Sequence, residues 1–255
     1  MSELQKRIAR LGRRESNGIG FSATTREKPR QLLLGVIAGD DAGAKAAADA
    51  GADVVLVEAS SAAAAVPVVS SLKGSKAVAG ALLPALDEAG AEALTGAGCD
   101  FVVCTLEGTE ATAVDTDRMG HVAVASSALD DTTLRSLAPL GLDGLYVTRT
   151  PGNMTLATQL QLVRIASFAS APLLVNVTPG APVAELRALR DGGAAMVIAP
   201  RGTAPEQLTA LGEALKNVPA KKGGRGDSRD IALVPSRAAA PAEHDHEEEG
   251  DDDDD

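Results

Sequence analysis

The sequence predicts an α/β chain folded as a closed (β/α)₈ barrel, carrying a short N-terminal helix and an acidic C-terminal tail. Two observations carry this. Eight short apolar runs alternate with alanine-rich stretches from residue 31 to residue 219, each run rich in Val, Leu and Ile and bounded by Gly, Pro or Asp. Such runs suit parallel strands buried on both faces. A faint repeat gives the second: a helix end, a Gly and a strand-opening acid recur at 50–53, 96–100 and 140–144, with a degenerate copy at 191–195. A helix that must turn directly into a strand commonly ends on a left-handed Gly. Each repeat holds two strands and two helices, so four copies make eight strands.

The elements follow in order. Residues 1–30 form a basic lead-in, with Leu4, Ile8 and Leu11 at helical spacing over residues 1–15. That helix is expected to close the bottom of the barrel or to pack on a neighbouring subunit. The strand runs are 31–39, 53–59, 76–85, 99–106, 121–128, 142–149, 172–178 and 194–200, each followed by a helix. Right-handed crossovers then put every strand C-terminus on one face. Thr155 is placed to cap the helix after the sixth strand. Residues 220–255 form an acidic, low-complexity tail expected to be disordered, with one apolar island at 231–235. An adhesion-like GRGDS at 224–228 and two histidines, His244 and His246, are read there as chance features of a solvated segment.

The net charge of −11 divides as +5 for residues 1–30, −9 for 31–219 and −7 for 220–255. An acidic body repels phosphodiester backbones, so no nucleic-acid partner is expected. No apolar run is long enough to span a membrane and no secretory segment is evident, which predicts a cytoplasmic protein. Cys99 and Cys104 read as small buried hydrophobes rather than as a disulfide. The oppositely charged ends would allow a homo-oligomer.

Chemistry in such a barrel sits at the strand C-termini. Those ends carry Asp40 and Asp41, then Glu58, then Thr105 and Glu107, then Thr148 and Arg149, then Asn176 and Thr178, and finally Arg201. Lys76 and His121 open strands instead, on the opposite face, so no lysine or histidine stands where an imine or an imidazole acid would be needed. Glu58 and Glu107 are the candidate general bases. With Asp40 they could also ring a divalent cation, although no spacing fixes a metal geometry.

Residues 172–208 resemble the phosphate-binding half of the phosphate-binding (β/α)₈ superfamily. The resemblance implies an anion site in the loops after the seventh and eighth strands, at Thr178, Pro179 and Gly180 and at Arg201, Gly202 and Thr203. It also implies backbone N–H groups and a helix N-terminus turned to the anion. Pro179 and Pro200 each remove a donor, and Arg201 supplies charge in their place. Arg149, Asn176, Gly180, Arg201 and Gly202 are thus the candidate anion ligands. Three functions remain open: a lyase or isomerase acting on a small anionic metabolite, a catalytically silent barrel used for binding or assembly, and an oxidoreductase holding FMN by its phosphate.

Overall fold

In a computed structural model, described at residues 1–11, 30–150, 152 and 154–221, eight parallel strands close into a barrel in sequence order. They are β1 (Leu33–Ala38), β2 (Val54–Glu58), β3 (Val78–Leu83), β4 (Phe101–Cys104), β5 (Gly120–Ala125), β6 (Gly144–Val147), β7 (Leu173–Asn176) and β8 (Ala194–Ala199). The helices are α1 (Glu3–Arg10), α2 (Asp41–Asp49), α3 (Ala62–Ser71), α4 (Glu88–Ala97), α5 (Asp131–Leu137), α6 (Leu156–Ala169), α7 (Val183–Asp191) and α8 (Pro205–Lys216).

Strand alternation divides the core in two. Inward residues Leu33, Val54, Leu56, Val78, Phe101, Val103, Val122, Tyr146, Leu174, Met196 and Ile198 fill the barrel. Outward residues such as Leu34, Val55, Val102 and Val197 pack under the helices. Phe101 fits because its register neighbours on β3 and β5 are Gly80 and Gly120, and a Cβ on Gly80 would run into its ring. Side chains of the preceding residue cap the helices: Asp40, Ser61, Asp87, Asp130 and Thr155 each accept the N–H three residues on. Gly98 and Gly141 end the fourth and fifth helical segments at φ 88° and 65°, the left-handed turn that the repeat predicts.

The strand-opening aspartates hold the barrel floor. Asp100 accepts the backbone N–H groups of Glu3 and Leu4 at 2.8 and 2.9 Å, capping α1 from a distant strand. Asp143 accepts the Ser2 hydroxyl, and burial, with repulsion from Asp100, raises its pKa. Asp53 takes Arg30 and the Leu34 N–H. Arg7 bridges the carbonyls of Asp53 and Lys76. Leu4 is fully buried among the inward residues, which contributes roughly 1.5–3 kcal/mol. The N-terminal helix therefore plugs the floor, and it ends at Arg10; residues 12–29, part of the predicted helix among them, lie outside the described residues.

One expectation fails. β4 is followed by a 3-10 turn at Ala111–Ala113 in place of an α-helix. Residues 105–119 lack helical apolar spacing, and the chain instead forms a bridge between Leu86 and Thr109. Gly108 makes that possible, since a Cβ there would strike the Pro84 carbonyl. The apolar island and the charged tail beyond residue 221 lie outside the described residues.

Candidate functional site

The residues picked at the strand ends separate into three places. Glu107 follows β4 on an exposed turn held to the β3 loop by Thr105, whose hydroxyl donates to the Pro84 carbonyl. In a closed ring of eight, β4 lies opposite β8, so Glu107 and Arg201 stand on opposite sides of the mouth. Among the described residues the side chains of Glu58 and Glu107 make no hydrogen bond or ion pair.

Arg149, Asn176 and Glu185 form the second group. The Asn176 amide exchanges two hydrogen bonds with the backbone of Arg149, at 2.6 and 2.8 Å, which ties the end of β7 to the loop after β6. The Arg149 side chain is only 7% exposed and pairs with Glu185 in the first turn of α7. Its Nε has no partner. The sequence offers Arg149 and Arg201 as candidate anion ligands; in the structure Arg149 pairs with Glu185, and Arg201 lines a separate cleft. Gly180 is exposed and does not line the cleft that Gly202 lines.

The third place holds the accessible charge. A cleft of about 150 Å³ lies between the loops after β1 and β8, lined by Gly39, Asp40, Gly43, Arg201, Gly202 and Thr203 above apolar residues of β1, α2 and α8. Among the described residues Arg201 comes no closer to a carboxylate than 3.7 Å, at Asp40, and both side chains are more than half exposed. Such a pair is worth little in water. Asp40 is committed to the α2 N-terminus through the Gly43 N–H. At α8 the Ala204 N–H is taken by Gln207, and Pro205 has none, while the next first-turn N–H groups have no acceptor within the helix. Gly202 adopts φ 79°, which a side chain would strain, and its Cβ position is open space. The cleft, at about 150 Å³, lies below the roughly 300 Å³ at which drug-sized ligand sites begin.

Two inward-facing residues complete the mouth. Glu58 ends β2 exposed, and Tyr146 on β6 is buried with its pKa raised, first by burial and then by the Glu58 charge. Tyr146 escaped the sequence reading, which scanned only strand ends. Its signal was parity: it lies two positions before Thr148 and so shares the inward face. Gly39 was missed too, although a glycine closing a strand is a cue for close approach. Among the described residues no three of His, Cys, Asp and Glu are grouped to hold a metal ion. Both cysteines are buried thiols, Cys99 pushed up to about 12 by burial.

No family model matches this sequence, and no curated protein matches it. Solved structures do. Tryptophan synthase of Mycobacterium tuberculosis aligns with 76% of this chain and 94% of its own at 14% identity, TM-score 0.59. A mutant tryptophan synthase alpha-subunit of Pyrococcus furiosus covers 74% and 98% at 11% identity, TM-score 0.56. Thiamine phosphate pyrophosphorylase of the same organism covers 74% and 98% at 12% identity, TM-score 0.57. At these identities the likeness establishes the fold alone: the chain is a TIM barrel, closed by eight parallel strands.

Proposed function

We propose that this barrel binds a small anionic metabolite, bearing phosphate or carboxylate, in the cleft between the β1 and β8 loops. The observation that carries the reading is the contrast between two arginines. Arg149 is buried and neutralised by Glu185, whereas Arg201 lines the cleft beside Gly202 with only a loose, exposed partner. An anion there gains a charge-assisted hydrogen bond and the first-turn N–H groups of α8. A fold shared with a thiamine phosphate pyrophosphorylase, an enzyme named for a phosphate ester, lends support. Turnover, as a lyase or isomerase, would fall to Glu58 as the general base, with Tyr146 across the barrel as a proton carrier.

The silent-barrel reading is favoured by the Arg149–Glu185 pair, which removes one clamp. Titration calorimetry against inorganic phosphate separates the two. Binding that falls about ten- to a hundredfold in Arg201→Ala, the scale of a hydrogen bond to a charged group, is expected. No heat with the wild-type protein leaves the silent barrel as the better account.

A further inference from the structure

Gly39 faces the barrel axis, sharing the parity of Leu33 and Ile37 on β1. Its φ lies outside the left-handed region, so the backbone itself would accept any residue. Space is what forbids one, since a Cβ at this position would fall on the Arg201 guanidinium. Arg201 thus reaches across the end of β1 through the gap left by a missing side chain. On the other flank the register pairs Ala38 with Val57, so the next residues out, Gly39 and Glu58, are neighbours. On the β8 side Val36 pairs with Ala199, which brings Arg201 level with Ala38. Gly39 is therefore a one-residue window with a cation over it and a carboxylate beside it.

Resting on the anion-binding reading above, we infer that Gly39 positions Arg201, and that the spacing it sets selects a short bifunctional anion. With its guanidinium over Gly39, Arg201 stands one strand from Glu58, so a single inter-strand spacing of about 4.8 Å separates an anion on Arg201 from a group on Glu58. With carbon–carbon bonds of about 1.5 Å, a chain of roughly three to five atoms spans it. The ligand class is a compact phosphate or carboxylate carrying a hydroxyl or another hydrogen-bond donor for Glu58 at that remove.

The clash at Gly39 is with the mobile end of a long side chain, so Gly39→Ala displaces Arg201 and leaves the strand in place. Calorimetry with inorganic phosphate, glycerol phosphate and glycerate tests the inference on the full chain. Expected are a tenfold or greater loss of phosphate affinity in Gly39→Ala, no further loss in Gly39→Ala/Arg201→Ala, and an unchanged melting temperature. Glycerol phosphate should bind at least tenfold more tightly than inorganic phosphate, and in Glu58→Gln the two should bind alike. Glycerate binding tighter than either phosphate would assign the anionic end as a carboxylate within the same class. Full phosphate affinity in Gly39→Ala together with its loss in Arg201→Ala overturns the positioning role and leaves the anion site standing. Equal affinities for inorganic and glycerol phosphate in the wild type overturn the spacing rule. No binding of any of the three removes the anion reading itself.

Discussion

The Arg149 guanidinium is closed against the Glu185 carboxylate, and both side chains are nearly buried, at 7% and 11% exposure. Arg149 also reaches the Gly152 carbonyl at 3.3 Å, while its Nε finds no acceptor. The pair joins the loop after β6 to the start of α7, where a carboxylate is also favoured by the helix dipole. It works as a tether with no charge left over.

Glu185→Ala should therefore be strongly destabilising, because it leaves a buried guanidinium with only a long carbonyl contact. Breaking one side of a buried pair costs about 3–5 kcal/mol. Urea unfolding checks this, and Arg149→Met/Glu185→Leu should recover much of the loss, since two apolar groups need no partner. A loss below about 1 kcal/mol in Glu185→Ala would mean that the charge is solvated after all.

His121 carries a second prediction. It begins the outward face of β5, buried beneath α4 and the turn that replaces a helix after β4, and neither ring nitrogen completes a hydrogen bond of good geometry, the Asp115 backbone lying nearby. Burial lowers its pKa, opposed by Asp115. The groups facing it are Glu88 and Glu92 from α4 and Asp115 and Arg118 from the covering turn, around a cleft of about 70 Å³. With its folded pKa below the unfolded value of about 6.5, the unfolded chain binds the proton more tightly. Stability should be intact above that value and fall as the pH drops through it. His121→Phe, of similar size, should abolish this increment and gain about 1–3 kcal/mol at pH 7 by removing an unsatisfied buried group. Unfolding curves at pH 7 and pH 5 for both proteins give the comparison. A His121→Phe protein with the wild-type loss between the two would place the titration elsewhere.

How far the sequence reaches is clearest at particular residues. The strands were legible because burial on both faces writes itself as unbroken apolar runs, and Asp53, Asp100 and Asp143 stood out by their spacing. Their work did not, because Asp100 caps a helix 96 and 97 positions away and Asp143 takes a hydroxyl 141 positions away. The 3-10 turn after β4 overrode an expectation drawn from the regular repeat, although the Gly and acids of 105–119 argue locally against a helix. At the site, strand ends showed which charges could reach the mouth. Which of them was already neutralised depends on rotamers, and Glu185 taking Arg149 rather than leaving it free has no signature in spacing.

Tyr146 allows the mouth to be read directly, because it is the one tyrosine in a chain without tryptophan. Its hydroxyl is pushed up mainly by burial and further by the negative charge of Glu58 across the barrel. Ultraviolet absorbance titration follows the phenolate with no competing tyrosine. In Glu58→Gln the midpoint should move down, because a charge that disfavours the phenolate is gone. It should not reach the ordinary value near 10, since the burial that is the larger cause remains. Glu107→Gln, on the β4 side of the mouth, should leave the midpoint where it is. If Glu58→Gln leaves it unmoved as well, the carboxylate does not face Tyr146, and the acid–base pair assigned to turnover is lost with it. An anion held on Arg201 adds a further negative charge near the same ring, so saturating phosphate should raise the midpoint in the wild type and leave it unchanged in Arg201→Ala.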